Sequence, residues 1–185
     1  MLNLGAAGAV SLIPSVTIGG YNMTKAAVSL SGRDILDLSS LSVEEYDLIM
    51  RTAAEMKKVM KRDIKKLPSL RGKSIVNLFY ENSTRTRSSF ELAGKYLGAD
   101  VINLSTGTSS VKKGECLKDT ILTMQSMACD AIVMRHPVEG AAKYAADIAA
   151  PVVINAGDGA HAHPTQGLLD MFTILEHGKQ FKGLK

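Results

Sequence analysis

Tryptophan is absent from the 185 residues, and aromatic side chains of all kinds make up only 5%. Stacking platforms for single-stranded nucleic acid would have little to be built from. Cysteine is nearly as scarce. Cys116 and Cys129 form no C-x-x-C pair and no secretory signal accompanies them, which argues against a disulfide framework or a zinc site and reads both as reduced, buried small hydrophobes. No apolar run reaches the length needed to cross a bilayer. The apolar stretch from Met1 to Gly20 lacks the basic start of a signal peptide and is interrupted at Pro14. Also missing are G-x-G-x-x-G and G-x-x-x-x-G-K-[ST], so a dinucleotide or a P-loop nucleotide is disfavoured. The net charge of +4 comes from 22 Lys and Arg interspersed with 18 Asp and Glu. That balance suits a compact anion better than nucleic acid, and a cytoplasmic protein with no membrane partner is the expectation.

What is present is an alternating pattern. With 45% hydrophobic residues the chain is long enough to bury one sizeable core. Residues 1–30 hold several glycines and no sustained period, so they read as a loosely ordered leader, leaving residues 31–185 as one domain. Ser42-Val43-Glu44-Glu45 has the form of a capping box. Tyr46, Ile49, Met50, Ala53, Met56 and Met60 follow at helical spacing, predicting an amphipathic helix that ends before Pro68. From there short apolar runs at 74–80, 100–104, 131–134 and 152–154 alternate with helical stretches at 85–97, 117–128, 141–149 and 166–176. Continuous apolar strands alternating with helices predict an α/β, doubly wound parallel sheet of about four strands with helices on both faces. Ligands of such sheets bind beyond the carboxyl ends of the strands, which here selects the loops after Tyr80, Leu104, Met134 and Ile154.

Four segments carry chemistry. In Phe79-Tyr80-Glu81-Asn82-Ser83-Thr84-Arg85-Thr86-Arg87, a strand should turn into a helix, so that backbone N–H groups, the positive end of the helix dipole, hydroxyls and a guanidinium converge. That is the makeup of a phosphate site; the plain alternative is a capping Ser or Thr followed by a solvated basic turn. Ser109-Ser110-Val111-Lys112-Lys113-Gly114-Glu115 is a polar loop with two adjacent ammonium groups, by itself an ordinary solvated run. Met134-Arg135-His136-Pro137 would bring Arg135 out at the ligand-binding edge, able to grip a phosphate and a carbonyl oxygen. The stretch from Asn155 to Gln166 is a Gly-rich turn running into a helix opened by Pro164, which would set His163 and Gln166 over the same crevice. His161 and His163 have no convincing third metal ligand, and a buried, hydrogen-bonded imidazole is the stronger reading of His161. His136 and His177 read most simply as structural or surface residues.

In order and spacing, residues 79–91, 109–115, 134–137 and 155–170 closely resemble the aspartate carbamoyltransferase family. The resemblance runs from about Gly32 past Thr173 and covers the family's first, carbamoyl-phosphate-binding domain. It implies that the second, aspartate-binding domain lies outside this chain. It also implies transfer of the carbamoyl group of carbamoyl phosphate to the amine of L-aspartate, at the start of the pyrimidine pathway, with no metal, cofactor or covalent intermediate. By matching position, Ser83, Thr84, Arg85 and Thr86 look like the phosphate cradle. Thr86, Arg135 and His163 look like donors to the carbamoyl oxygen, and Gln166 like an acceptor from the carbamoyl amide. The loop bearing Ser109 and Lys113 would reach a neighbouring subunit, so a homotrimer is expected, with regulatory chains as further partners. Glu81 resembles a residue that holds two domains closed, its partner absent here. An ornithine carbamoyltransferase shares the Ser-Thr-Arg-Thr-Arg cradle, but the Lys113 loop and His163-Pro164-Thr165-Gln166 favour aspartate. A non-catalytic anion-binding module is the reading of a different class.

Overall fold

The structure is a computed structural model that describes residues 17–18, 21–22, 28–105, 116–179, 181 and 183. The described residues fall into two compact units, one built from residues up to 32, 38–65 and 166 onward, the other from 33–37 and 66–165. The proposed leader lies largely outside the described residues; within it, β1 (Thr17–Ile18) pairs antiparallel with β2 (Tyr21–Asn22).

In the first unit, α1 (Val43–Met60) begins as its sequence dictates. The Ser42 hydroxyl accepts the Glu45 amide at 3.2 Å, while the Glu45 carboxylate accepts the Ser42 amide at 2.8 Å. Met50 packs with Leu168 and Leu175 of α5 (Pro164–Glu176), together with Leu38, Leu41 and Phe172. Lys57 and Glu176 add an exposed ion pair. The buried face of α1 departs from the expected apolar stripe. Glu45, Asp47 and Arg51 are buried on it, whereas Met60 is exposed. The Arg51 Nε–H donates to the Asp47 carbonyl one turn back, which keeps a charged side chain within its own helix's hydrogen-bonding reach.

The second unit is the expected parallel sheet. Its strands are β3 (Ser74–Phe79), β4 (Asp100–Ser105), β5 (Ala131–His136) and β6 (Val152–Asp158), in spatial order β4-β3-β5-β6. The crossovers are α2 (Thr84–Tyr96), α3 (Leu117–Ser126) and α4 (Ala141–Ile148). Alternate residues of the central strands serve opposite faces. Val76, Leu78, Ile132, Met134 and Val153 pack with Ile121 and Met124 of α3 and with Ala141 and Ala145 of α4. Phe79, Val133 and Ala156 face the other way, against Ile75, Ile154 and Phe90 of α2. Each fully buried side chain of this kind contributes about 2 kcal/mol, so the two apolar layers dominate the stability of the unit. Gly94 lets α2 lie close on the sheet, since a Cβ there would fall 2.5 Å from Val101 Cγ2.

A polar chain crosses this packing. Asn77, fully buried in β3, donates to Asn103 Oδ1 of β4, its register partner. Asn103 Nδ2 in turn donates to Glu91 of α2, which pairs with Lys95. Cys129 is buried as expected, but Cys116 is exposed, its thiol 2.9 Å from Asp119 Oδ2. Cys116 stands at the N-cap of α3, ahead of that helix's buried residues Thr120, Ile121 and Met124.

Candidate active site at the strand ends

The chain leaves β3 for β4 through α2, then crosses back to β5 on the other side of β3. Strand order therefore reverses between β3 and β5, and the crevice beyond their carboxyl ends is where doubly wound sheets bind ligands. Phe79 and Arg135 are register partners at that edge, and the Tyr80 amide donates to the Arg135 carbonyl at 2.8 Å. This bond holds the turn into α2 against the end of β5.

The turn itself is left open. Ser83 is the N-cap, with φ −147° and ψ 92°, yet its side chain makes no capping bond, and no acidic residue occupies the first turn of α2. The first amides of a helix have no partner within the helix, so their N–H groups and the dipole present a positive end unopposed by any carboxylate of that turn. Thr84 and Arg85 are exposed; Ser83 and Thr86 are half-buried. All four expected cradle residues thus lie on one helix start at the switch point.

Arg135 emerges from β5 with its guanidinium half-buried. Its Nη1 donates to the Ala156 carbonyl at 3.1 Å, and its Nε lies 3.2 Å from Glu81 Oε2, in ion-pair range although the N–H is not aligned for a hydrogen bond. Glu81, expected to lack its partner in this chain, is therefore a neighbour of Arg135. His163 is half-buried at the entrance to α5, with Nδ1 3.3 Å from Thr165 Oγ1. Gly157 shows how close the two groups come. A Cβ at Gly157 would fall 2.7 Å from Arg135 Nη1 and 3.6 Å from His163 Cδ2, and its φ of +116° is one that side chains rarely adopt. The guanidinium and the imidazole thus flank the same bare backbone at the end of β6.

Behind them sits a carboxylate that sequence reasoning did not single out. Asp158 is 1% exposed and accepts from the amides of Gly140 and Ala162, from Asn155 Nδ2 and from the ring of His161. Burial alone would raise its pKa, but the bonds from Asn155, His161 and Gly140 outweigh that and hold it below the ordinary aspartate value. The signal in the sequence was the Asn155-x-x-Asp158-x-x-His161 spacing around two glycines, which builds local side-chain-to-backbone turns. His161 itself is hydrogen-bonded but exposed, not buried, because its ring reaches inward only to the Asp158 carboxylate. His136 is structural: its ring lies 4.6 Å from that of Tyr80, its Nδ1 accepts the Val138 amide, and burial pushes its pKa down. No group of three or more metal-ligating side chains occurs among the described residues.

Ser109 and Lys113 lie outside the described residues. Gln166 belongs to the first unit, where its Nε2 donates to Asp170 Oδ1 one turn along α5.

Residues 33–176 match the family described as aspartate/ornithine carbamoyltransferase, carbamoyl-P binding domain. The chain is 58% identical over 153 residues to the aspartate carbamoyltransferase catalytic subunit of Desulforamulus reducens, covering 83% of this chain and 49% of that one. It is also 58% identical over 158 residues to the corresponding subunit of Syntrophomonas wolfei, covering 85% and 51%. Among solved structures, aspartate transcarbamoylase from Trypanosoma cruzi in complex with carbamoyl phosphate and aspartate superposes with a TM-score of 0.72 at 40% identity, over 77% of this chain and 44% of that one. The chain spans about half the length of the curated relatives it matches.

Proposed function

We propose, because this chain belongs to the aspartate/ornithine carbamoyltransferase, carbamoyl-P binding domain family, that it binds carbamoyl phosphate at the switch point and forms part of an aspartate carbamoyltransferase. The reaction transfers the carbamoyl group to the amine of L-aspartate, giving N-carbamoyl-L-aspartate and phosphate, a step of pyrimidine synthesis in the cytoplasm. The observation that carries this reading is the meeting of an uncapped helix start with Arg135 and His163 at the ends of adjacent strands.

Carbamoyl phosphate is already an activated acyl donor, so its reaction with an amine needs alignment and stabilisation of two developing negative charges. The phosphate sits on the α2 start, held by the hydroxyls of Ser83, Thr84 and Thr86 and by the first-turn amides, with Arg85 neutralising charge on the departing group. Thr86, Arg135 and His163 donate to the carbamoyl oxygen, which becomes an oxyanion as the amine adds to the carbon. Glu81 and the Ala156 carbonyl fix the Arg135 fork, so little reorganisation accompanies the reaction. The roles of Gln166 as acceptor from the carbamoyl amide, and of Ser109 and Lys113 as donors to a neighbouring subunit of a homotrimer, rest on the resemblance of their segments.

Because the chain spans about half the length of its relatives, a second reading is a module that binds carbamoyl phosphate without turning it over. One titration separates the readings. Calorimetry of the chain with carbamoyl phosphate should show saturable binding, and L-aspartate or L-ornithine is then added while carbamoylated product is assayed. Carbamoyl-aspartate formed by the chain, or by the chain supplied with the aspartate-binding half of a relative, supports the enzyme, and binding with no product in either case supports the module. Product from ornithine alone selects the other branch of the family, and no binding at all removes the site.

A further inference from the structure

We propose that Asp158 is a positioning residue, whose buried carboxylate ties the exit of β5 to the exit of β6 and so holds His163 beside Arg135. This inference rests on the reading of the strand ends as a carbamoyl phosphate pocket. The carboxylate contacts three segments at once. The Gly140 amide, at the end of the loop that follows Arg135 and β5, donates to Oδ2 at 3.0 Å. The Ala162 amide, one residue before His163, donates to Oδ1 at 3.2 Å. Asn155 Nδ2 donates to Oδ1 at 2.8 Å, while Asn155 Oδ1 accepts the Gly157 amide at 2.9 Å. Gly157 is the residue flanked by the guanidinium and the imidazole, so both sides of the donor pair are anchored to one acid.

Backbone bonds draw the same loop shut. The Gly159 amide donates to the His136 carbonyl at 3.0 Å, the Asp158 amide to the Ala162 carbonyl at 3.2 Å, and the His161 amide to the Asp158 carbonyl at 3.1 Å. Within this turn every side-chain contact of Asp158 comes from a group that can donate, the His161 ring included. A carboxylate accepts from all of them. An amide of the same shape would turn two N–H groups toward a site made of donors and leave at least one buried group unpaired. The chemistry of the environment therefore requires an acid at this position, while its volume would admit an asparagine.

The consequence is selective. Phosphate held by the α2 start does not depend on this knot, but a carbonyl oxygen held between Arg135 and His163 does. The test uses the chain itself, Asp158→Asn and His161→Gln, titrated with inorganic phosphate and with phosphonoacetamide, a carbamoyl phosphate mimic with methylene in place of the bridging oxygen. Asp158→Asn should bind phosphonoacetamide about tenfold more weakly, as expected for an unpaired buried donor, with phosphate affinity unchanged. His161→Gln alters only an exposed partner and should keep the fold, read as an unchanged thermal melt, while showing the same selective loss at about threefold. Equal losses for both compounds, or no loss for phosphonoacetamide, would overturn the proposal. If Asp158→Asn does not fold, His161→Gln decides alone, and an unselective or absent effect there has the same force. Wild-type chain that binds neither compound overturns the pocket reading and this inference with it, a result distinct from wild type that binds both.

Discussion

At the start of α1, Ser42 accepts the Glu45 amide, Glu45 reaches back to the Ser42 amide, and Glu44 and Glu45 place negative charge on the positive end of the helix. At the start of α2, Ser83 makes no capping bond and the first turn has no acid. The same residue type opens both helices, but the first start is capped by its own side chains and the second is not. A used cap belongs to stability, whereas the unused cap followed by Thr84, Arg85 and Thr86 is the one proposed to hold the phosphate.

The largest effect expected from breaking that contrast is at Arg85. Arg85→Ala should weaken carbamoyl phosphate binding by about a hundredfold, on the order of 3 kcal/mol, with the melting temperature unchanged because the side chain is exposed. Calorimetry and a thermal melt on the same sample check both halves. Gly157→Ala comes next. The added methyl meets Arg135 at 2.7 Å and the φ of +116° is unfavourable. A stability loss of about 2 kcal/mol is expected, with weakened phosphonoacetamide binding as Arg135 is displaced. The two serines then give opposite readouts. Ser83→Ala should lower phosphate affinity about tenfold with little change in unfolding free energy, and Ser42→Ala should cost about 1 kcal/mol of stability and leave phosphate affinity alone. If Ser83→Ala destabilises as much as Ser42→Ala and binds phosphate normally, the contrast has no functional content.

The smallest effect is with pH. Asp158 and Asp130 both titrate below the ordinary aspartate value of 3.8 in the fold. For Asp130, burial works against the lowering, and the bonds from Lys73 and the Ser74 amide outweigh it. Carboxylates shifted downward contribute stability that is fully present above the unfolded value and is lost as pH falls through the lowered one. Chemical denaturation should therefore give a flat stability above about pH 7, a modest loss below about pH 6.5 as the buried His136, whose pKa is pushed down, resists protonation, and a further decline below about pH 4 from the carboxylates. Asp158→Asn should flatten part of that decline.

Much of this was legible in the sequence because the sheet is buried on both faces. Continuous runs such as Ile75 to Phe79 and Ala131 to Met134 have few other homes, and the helices between them ended within two residues of their expected limits. The cradle at Ser83 to Thr86 followed from its place between strand and helix. Strand β6 runs four residues past the apolar part at 152–154, because Asn155 and Asp158 satisfy their polar groups locally, which periodicity does not register. The buried Glu45, Asp47 and Arg51 of α1 were hidden for a similar reason, since hydrophobic spacing counts only apolar faces. Strand order, and with it the reversal between β3 and β5, came only with the structure: alternation fixes the class of sheet and not the sequence of neighbours within it.

The amide of Asn77 and its chain through Asn103 to Glu91 act as a ruler. Sliding β4 along β3 by one residue would carry Asn103 to the other face and strand a buried carboxamide among aliphatic groups, an error that a purely oily seam would tolerate. Because the third member of the chain stands on α2, the same measurement that aligns two strands also fixes how far along the sheet that helix begins. The distance from the last residue of β3 to the first amide of α2 is thus set by three polar side chains, Asn77, Asn103 and Glu91.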